Sequence, residues 1–325
     1  MKKITVSVPA TTANLGAGFD CLGLALNLRS KVEVWEIEKG LEIEAEGEVE
    51  DGLPFDESNL IVRAAERVFA KVNRRPKGLH LRAVNGIPLS SGLGSSAAAI
   101  VGGLVAANAL VDGRLSRHDI LRMAYEMEGH ADNAAATLFG GLAVVSGSGD
   151  ELMTHSLTVA PLKVIIALPA VALSTTEARA ALPPDVPLKS AVFNIGHALL
   201  TAQALTAGNF ELLARAMADR LHQPFRQPLI PGCEQAAAQA LAAGAAAVTL
   251  SGAGPSLAAF APPVGRHDLI ASAMRTAFEA SGVGCRTFVL PVDVQGTKLK
   301  WKLVDSQGPA FAKEPPTSLD DLPES

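Results

Sequence analysis

The stretch Pro88-Leu89-Ser90-Ser91-Gly92-Leu93-Gly94-Ser95-Ser96-Ala97-Ala98 constrains this 325-residue chain more than any other. It lies between an extended apolar segment, 79–84, and a small-residue run, 95–110, that reads as a long helix. Two glycines and four serines crowd the junction. Glycine accepts positive φ and lets another molecule approach the backbone closely. Ser95 or Ser96 is placed to cap the helix. The first amides of a helix have no partner inside it, and the positive end of the helix dipole stands behind them. Strand, Gly/Ser turn and helix start together make an anion site, most often for phosphate. The plainer alternative is a Ser/Gly loop that only caps a helix. Two common phosphate loops are excluded. No Gly-Lys-Ser/Thr follows the glycines, and Ala97 stands where the third glycine of G-x-G-x-x-G would be.

A chain of this length accommodates two domains. Apolar residues make up 48% and charged residues 19%, enough for an ample core. The net charge of −5 argues against nucleic acid as a partner. An anionic ligand must then be held by amides, a metal or a few arginines. Cys21, Cys233 and Cys285 are far apart, with neither a disulfide framework nor zinc spacing, so a reducing cytoplasm is expected. Met1-Lys2-Lys3 leads straight into alternating Ile4, Val6 and Val8, without the apolar core of a signal peptide. No 18-residue apolar run suggests a membrane span.

Along the chain, 3–8 reads as a strand and 9–23 as a loop containing Asn14 and Asp20, both common turn formers. Residues 31–46 alternate apolar and charged positions, as in a hairpin with one wet face. Ser58 opens a helix with an apolar face at Leu60, Ile61, Ala64, Ala65, Val68 and Phe69. Ser116 and Asp119 form a capping box for another helix, which stops at Gly129. Glu126-Met127-Glu128-Gly129-His130-Ala131-Asp132-Asn133 follows, which alone could be an ordinary helix end and turn. A composition shift over 147–161 marks a domain boundary. Beyond it come a strand at 162–168, a capping box at Ser174 and Glu177, and helices at about 188–207, 210–221 and 232–243. A strand at 246–250, a Gly-rich turn at 251–256, a helix at about 266–281 and a strand at 285–290 complete an α+β unit. From Gly296 the periodicity disappears, and the rest reads as a surface appendage.

Several of these strings resemble one family. P-x-x-x-G-L-G-S-S-A-A is similar to the nucleotide loop of the GHMP kinases, and Ser251-Gly252-Ala253-Gly254-Pro255-Ser256 to their third, Gly-rich motif. Pro9-Ala10-Thr11-Thr12-Ala13-Asn14-Leu15-Gly16-Ala17-Gly18-Phe19-Asp20 resembles the first motif of the homoserine kinases. So do the strings around Arg179 and Arg226, and the Glu-Gly-His-Ala-Asp-Asn segment, where Ala131 replaces a usual proline. The resemblance spans about residues 3–290. It implies an α+β GHMP kinase fold over three parts. Residues 1–155 are a nucleotide-binding domain (ribosomal protein S5 domain 2-like), 156–293 a ferredoxin-like α/β sandwich, and 294–325 a tail.

The implied reaction is phosphoryl transfer from ATP to L-homoserine, giving O-phospho-L-homoserine on the way to threonine. By the same resemblance the amides of Gly92–Ser96 cradle the phosphates. Ser96 and Glu128 hold Mg²⁺, with Glu126 the alternative carboxylate. Asn14, Asp20, His130 and Gly252 face the substrate, Asp20 taking its ammonium. Arg179 and Arg226 grip its carboxylate, although a lone arginine is otherwise a surface residue. Asp132 and Asn133 sit near the attacking hydroxyl, and whether Asp132 is a base stays open. A homodimer is implied as well. The competing readings are another GHMP kinase, acting on mevalonate or a sugar, and a catalytically silent metabolite sensor. The first gives Asp20, Arg179 and Arg226 no shared purpose, and the second would be signalled by loss of the metal carboxylate or the Gly/Ser loop, both of which are intact.

Overall fold

The computed structural model describes residues 1–49 and 53–303. Its first layer is built on β1 (Lys2–Ala13) and β2 (Leu22–Ile37), an antiparallel pair. Ile4, Val6 and Val8 alternate inward along β1, as a half-buried strand requires. The strand does not end at Pro9. A register shift between Pro9 and Ala10 accommodates the proline, and β1 continues to Ala13 against residues 23–26. Ala10, Thr11, Thr12 and Ala13 are fully buried, so pairing and burial override the local break signal.

Next come β3 (Gly40–Gly47), α1 (Leu60–Lys71) and β4 (Gly78–Asn85). The expected hairpin over 31–46 is absent. β4 inserts between β2 and β3, antiparallel to the first and parallel to the second. β4 buries Leu79, Leu81 and Ala83, which suits the interior, whereas Glu42, Glu44 and Glu46 suit β3 to an edge. Asn59, not Ser58, caps α1 by accepting from the Ile61 amide, because Ser58 is engaged with Asp56. α2 (Ser95–Leu110) is buried along residues 97–109. It is so closely packed that a Cβ on Gly103 would lie 2.6 Å from the Ile61 carbonyl of α1. α3 (Arg117–Glu128) has the Ser116/Asp119 capping box and a left-handed Gly129 at its end. α4 (Asp132–Phe139), β5 (Leu142–Ser146) on β2, and β6 (Met153–Leu157) on β5 follow. The first sheet thus keeps the chain to Leu157, slightly past the expected boundary.

The second layer contains β7 (Lys163–Pro169), α5 (Thr175–Ala180), α6 (Leu188–Ala207), α7 (Phe210–Ala216), α8 (Gln223–Arg226) and α9 (Cys233–Ala242). β8 (Ala247–Leu250), β9 (Leu257–Ala261), α10 (His267–Ala280) and β10 (Cys285–Pro291) complete it. The sheet order β10-β7-β9-β8, antiparallel throughout, is the ferredoxin-like arrangement. Ile165, Leu257 and Phe278 lie in the core between this sheet and its helices.

The expected tail is corrected from its start. Lys298–Leu303 is a strand, β11, that returns to the first sheet and pairs with β1. Its alternation of Lys298, Lys300 and Lys302 with Leu299, Trp301 and Leu303 has the period of a strand, too short a signal beside prolines and charges. Arg29 anchors the return through an ion pair to Asp293 and a bond to the Gly296 carbonyl. Residues 304–325 of that expected tail lie outside the described residues.

Candidate active site

Three loops meet at one cleft. The first leaves β4. Ser91 is turned inward, its hydroxyl donating to the Pro88 carbonyl at 2.7 Å and accepting from the Leu93 amide at 3.3 Å. Gly92 has φ +75°, and a Cβ there would lie 2.4 Å from the Ser251 carbonyl of the third loop. Ser251 donates its hydroxyl to the Gly92 carbonyl at 2.7 Å, tying the two loops. Gly94 has φ +70°, and its Cβ would fall 2.0 Å from Thr11 Oγ1. Neither Ser95 nor Ser96 caps α2. The cap position is Gly94 in the left-handed region, which has no side chain to offer. The first amides of α2 are therefore left open, with the helix dipole behind them.

The second loop leaves β1. Asn14, at φ +71° and buried, donates Nδ2 to the Gly252 carbonyl at 2.8 Å and accepts from the Asp20 amide at 3.0 Å. Its amide thus joins this loop to the third. The Asp20 carboxylate accepts from both Nη atoms of Arg179, at 2.9 and 3.0 Å. Burial opposes the Arg179 charge, but this pairing outweighs it and raises its pKa. Arg226 is 2% exposed. Its Nε donates to the Ala178 carbonyl at 3.1 Å and Nη1 to the Gly252 carbonyl at 3.4 Å. Both guanidinium groups lie over the Phe19 ring, at 5.6 and 5.2 Å. Among the described residues no carboxylate forms an ion pair with Arg226. Burial, then the neighbouring Arg179, lowers its pKa.

At the end of α3, Glu128 has the Ser96 hydroxyl near enough to favour its charged form, while its Oε2 is buried without a partner. Burial chiefly pushes its carboxyl upward. Glu126 points away, is exposed, and pairs with Arg67 at 3.0 Å. Only Glu128 of the two lines the cleft. Asp132, 1% exposed, opens α4. Its Oδ1 accepts from the His130 ring at 3.0 Å and from the Asn133 amide at 2.8 Å. Burial disfavours a charged His130, but the Asp132 carboxylate outweighs it, so the pKa is raised. Asn133 Oδ1 accepts from Thr11 at 2.7 Å.

The cleft encloses about 770 Å³. It brings together Asn14, Asp20, Glu128, His130, Asp132, Asn133, Arg179, Arg226 and Gly252 with Leu89–Gly92 and Gly94–Ala98. Pro88 and Leu93 do not line it. They hold the loop from behind, Pro88 through Ser91 and Leu93 through its carbonyl, which accepts from the Thr11 amide at 3.0 Å. Sequence reasoning missed Thr11, Phe19 and His222, which shape the site without standing out by residue type. The string containing Thr11 and Phe19 was in view, but which of its side chains turn inward depends on the bulge in β1.

Residues 59–141 match the GHMP kinases N terminal domain, and 201–280 match GHMP kinases C terminal. A homoserine kinase of Moorella thermoacetica is 45% identical over 86% of this chain and 94% of that protein. One from Caldicellulosiruptor bescii is 44% identical over 91% and 99%. The solved structure of homoserine kinase from Cytophaga hutchinsonii superposes with a TM-score of 0.84 at 34% identity, covering 91% of this chain and 97% of that one. A mevalonate kinase of L. major, at 16% identity and a TM-score of 0.66, shares the fold.

Proposed function

The chain belongs to the homoserine kinases within the GHMP kinases, and on that premise we propose how its cleft turns ATP and homoserine into ADP and O-phosphohomoserine. The observation that carries the assignment of the acceptor end is the buried Arg226 guanidinium, which faces the cleft with no ion-paired carboxylate among the described residues. Beside it, Asp20 and Arg179 hold each other. A zwitterion entering here replaces one ion pair by three. Its carboxylate joins Arg179 and Arg226, and its ammonium takes over Asp20. Mevalonate has a carboxylate but no ammonium and would leave Asp20 stripped of its partner. A sugar offers neither charge.

At the other end, the open amides of α2 and the Gly92–Gly94 turn receive the phosphates. The orphaned Glu128 Oε2, with the Ser96 hydroxyl beside it, fits Mg²⁺, a hard cation that takes one or two carboxylates and completes its shell with phosphates and water. When bound, that ion neutralises phosphate charge. Phosphoryl transfer depends mainly on positioning and charge, so the protein's remaining task is to aim the hydroxyl. Asn133, pinned between Thr11 and Asp132, does this with its second Nδ2 hydrogen. Asp132 acts as a positioning residue that fixes His130 and Asn133. A loose transition state needs little prior deprotonation of the alcohol.

We assign the chain to the cytoplasm, since Cys21, Cys233 and Cys285 are all free. No helix among the described residues is long and apolar enough to cross a membrane. We also assign a second copy of the chain as the partner of α6. Leu188, Val192, Ile195 and Leu199 are exposed along one stripe, and Lys189 is the only Lys, Arg, Asp or Glu in that helix. An uncharged stripe pairs with itself about a two-fold axis without repulsion, despite the net charge of −5. Light scattering on Leu199→Glu should give a monomer where the unaltered chain gives a dimer. A monomeric unaltered chain removes that proposal.

One assay tests the reaction: coupled ADP release with homoserine, threonine, serine, mevalonate and galactose. Homoserine alone should support rapid turnover. Equal turnover of mevalonate would overturn the role given to Asp20.

A further inference from the structure

We infer that His222 is a positioning residue for the acceptor amino acid, holding Arg226 in register with the loop that carries Asp20. The inference rests on the reading of the acceptor end given above. His222 is fully buried, four residues before Arg226. Its Nε2 lies 2.8 Å from the Gly16 carbonyl. A carbonyl only accepts, so Nε2 carries the hydrogen. Nδ1 is then a lone pair, 3.5 Å from Nη1 of Arg226. The imidazole also stacks on Phe19 at 5.2 Å, the ring that lies under both arginines.

One side chain thus touches the first loop by a donated hydrogen bond, the arginine by an accepted one, and the aromatic floor by stacking. The groups facing it favour this form. Asp219 Oδ2 lies 3.4 Å from Nε2, but that carboxylate already accepts the amides of Leu221, His222 and Gln223 and the Asn194 side chain. Burial, above all, keeps the imidazole below its ordinary range, with Arg226 acting in the same sense and Asp219 against it. A protonated ring would turn an N–H toward a guanidinium.

The purpose follows from the ligand's chemistry. The ammonium and carboxylate of an amino acid sit on one carbon, so the groups that bind them must stay within one residue's reach. Asp20 and Arg226 come from different layers of the fold. Among the described contacts, His222 is the side chain that joins Arg226 to the backbone of the Asp20 loop, while Asn14 joins that loop to Gly252.

The test is a steady-state comparison of the full chain with His222→Gln, and with His222→Asn as the second variant, both also made in an Arg226→Lys background. Gln keeps an amide near Nε2, and Asn keeps an acceptor near Nδ1, so each severs one side of the bridge. Each should raise the KM for homoserine about tenfold, the size of one hydrogen bond to a charged group, with the KM for ATP changed less than about twofold. In the Arg226→Lys background the same changes should add little, since the partner being positioned is already lost. An unchanged homoserine KM, parallel rises in both KM values, or full additivity with Arg226→Lys overturns the inference. Failure of the unaltered chain to phosphorylate homoserine overturns instead the reading beneath it.

Discussion

One end of the cleft is walled by backbone: the Gly92–Gly94 turn and the uncapped start of α2, all within one short contiguous stretch. The other end is walled by charged side chains, Asp20, Arg179 and Arg226, brought from both layers of the fold. The two ends tolerate change differently. A backbone site depends little on which side chains it carries but fails when a Cβ intrudes. A side-chain site keeps its backbone under substitution and fails when charge or fork geometry is lost. The ends are joined by Gly252. Its turn packs on Gly92 through Ser251, and its carbonyl accepts from both Asn14 and Arg226.

The sharpest break at the backbone end is Gly94→Val. A Cβ there meets Thr11 Oγ1 at 2.0 Å and Asn133 Oδ1 at 3.1 Å, at a φ of +70° that valine avoids. The protein's own contacts therefore require this glycine, so valine here disturbs the fold as well as the proposed phosphate site. Nucleotide titration should find no ATP binding, and the melting temperature should fall, because Thr11 and Asn133 must both shift. ATP affinity like that of the unaltered chain would refute the phosphate assignment of this loop.

Glu128→Gln comes next. It keeps the shape of the side chain and removes the charge proposed to hold Mg²⁺. We expect kcat to drop by about two orders of magnitude, comparable to loss of one preorganised charge-stabilising group. Glu126→Gln serves as the control and should behave like the unaltered chain, since Glu126 is exposed and paired with Arg67. The assignment fails if the two carboxylates exchange these outcomes.

How much of the site was readable follows the same division. The proposed nucleotide end is local: strand, glycines and helix start are consecutive, so spacing offered an anion site beside a plain capping loop. Its one local misreading, a serine cap on α2, arose because Gly94 takes the cap position in a left-handed conformation that spacing does not reveal. The acceptor end was reached only by resemblance, because nothing in the spacing of Asp20, Arg179 and Arg226 says that they meet. His222 was invisible for the same reason, a lone histidine before a Gln-Pro pair. In the fold, the long apolar helices and both Ser-x-x-acid capping boxes lay where the pattern put them. The expected hairpin at 31–46 and the expected tail after Gly296 failed where strand order decides the outcome. β4 entering between β2 and β3, and β11 returning to β1, are long-range pairings.

The acceptor end is broken more gently by Arg226→Lys and Arg179→Lys, each of which keeps the charge and removes the fork. Each should raise the KM for homoserine by about ten- to a hundredfold, the cost of a charge-assisted bond, and leave the KM for ATP nearly unchanged. Arg226→Lys should be the worse of the two, since its guanidinium is buried and already oriented by the Ala178 and Gly252 carbonyls. A homoserine analogue lacking the carboxylate should be equally poor for the unaltered chain and both variants. Should that analogue match homoserine in the unaltered chain, the arginines do not read the carboxylate.

The smallest expected effect lies between the two ends, at His130. Its folded-state pKa is raised: burial disfavours the imidazolium, but the bond to Asp132 outweighs burial. A group whose pKa rises on folding stabilises the protein while it is charged in the folded state. Its contribution is complete below the ordinary histidine range and is lost as pH climbs through the raised folded value. Replacing His130 by Asn keeps a donor near Nδ1 for Asp132 but removes the titration. Urea unfolding of both proteins from about pH 6 to about pH 8 should therefore show the unaltered chain with its largest advantage at the acid end, shrinking toward the alkaline end. Burial pushes the Glu128 carboxyl upward and the His130 charge opposes it, so the two titrations are coupled and the comparison is repeated in a Glu128→Gln background. An advantage that grows with pH would mean that His130 is held neutral in the fold, and that Asp132 orients it through a neutral hydrogen bond and not an ion pair.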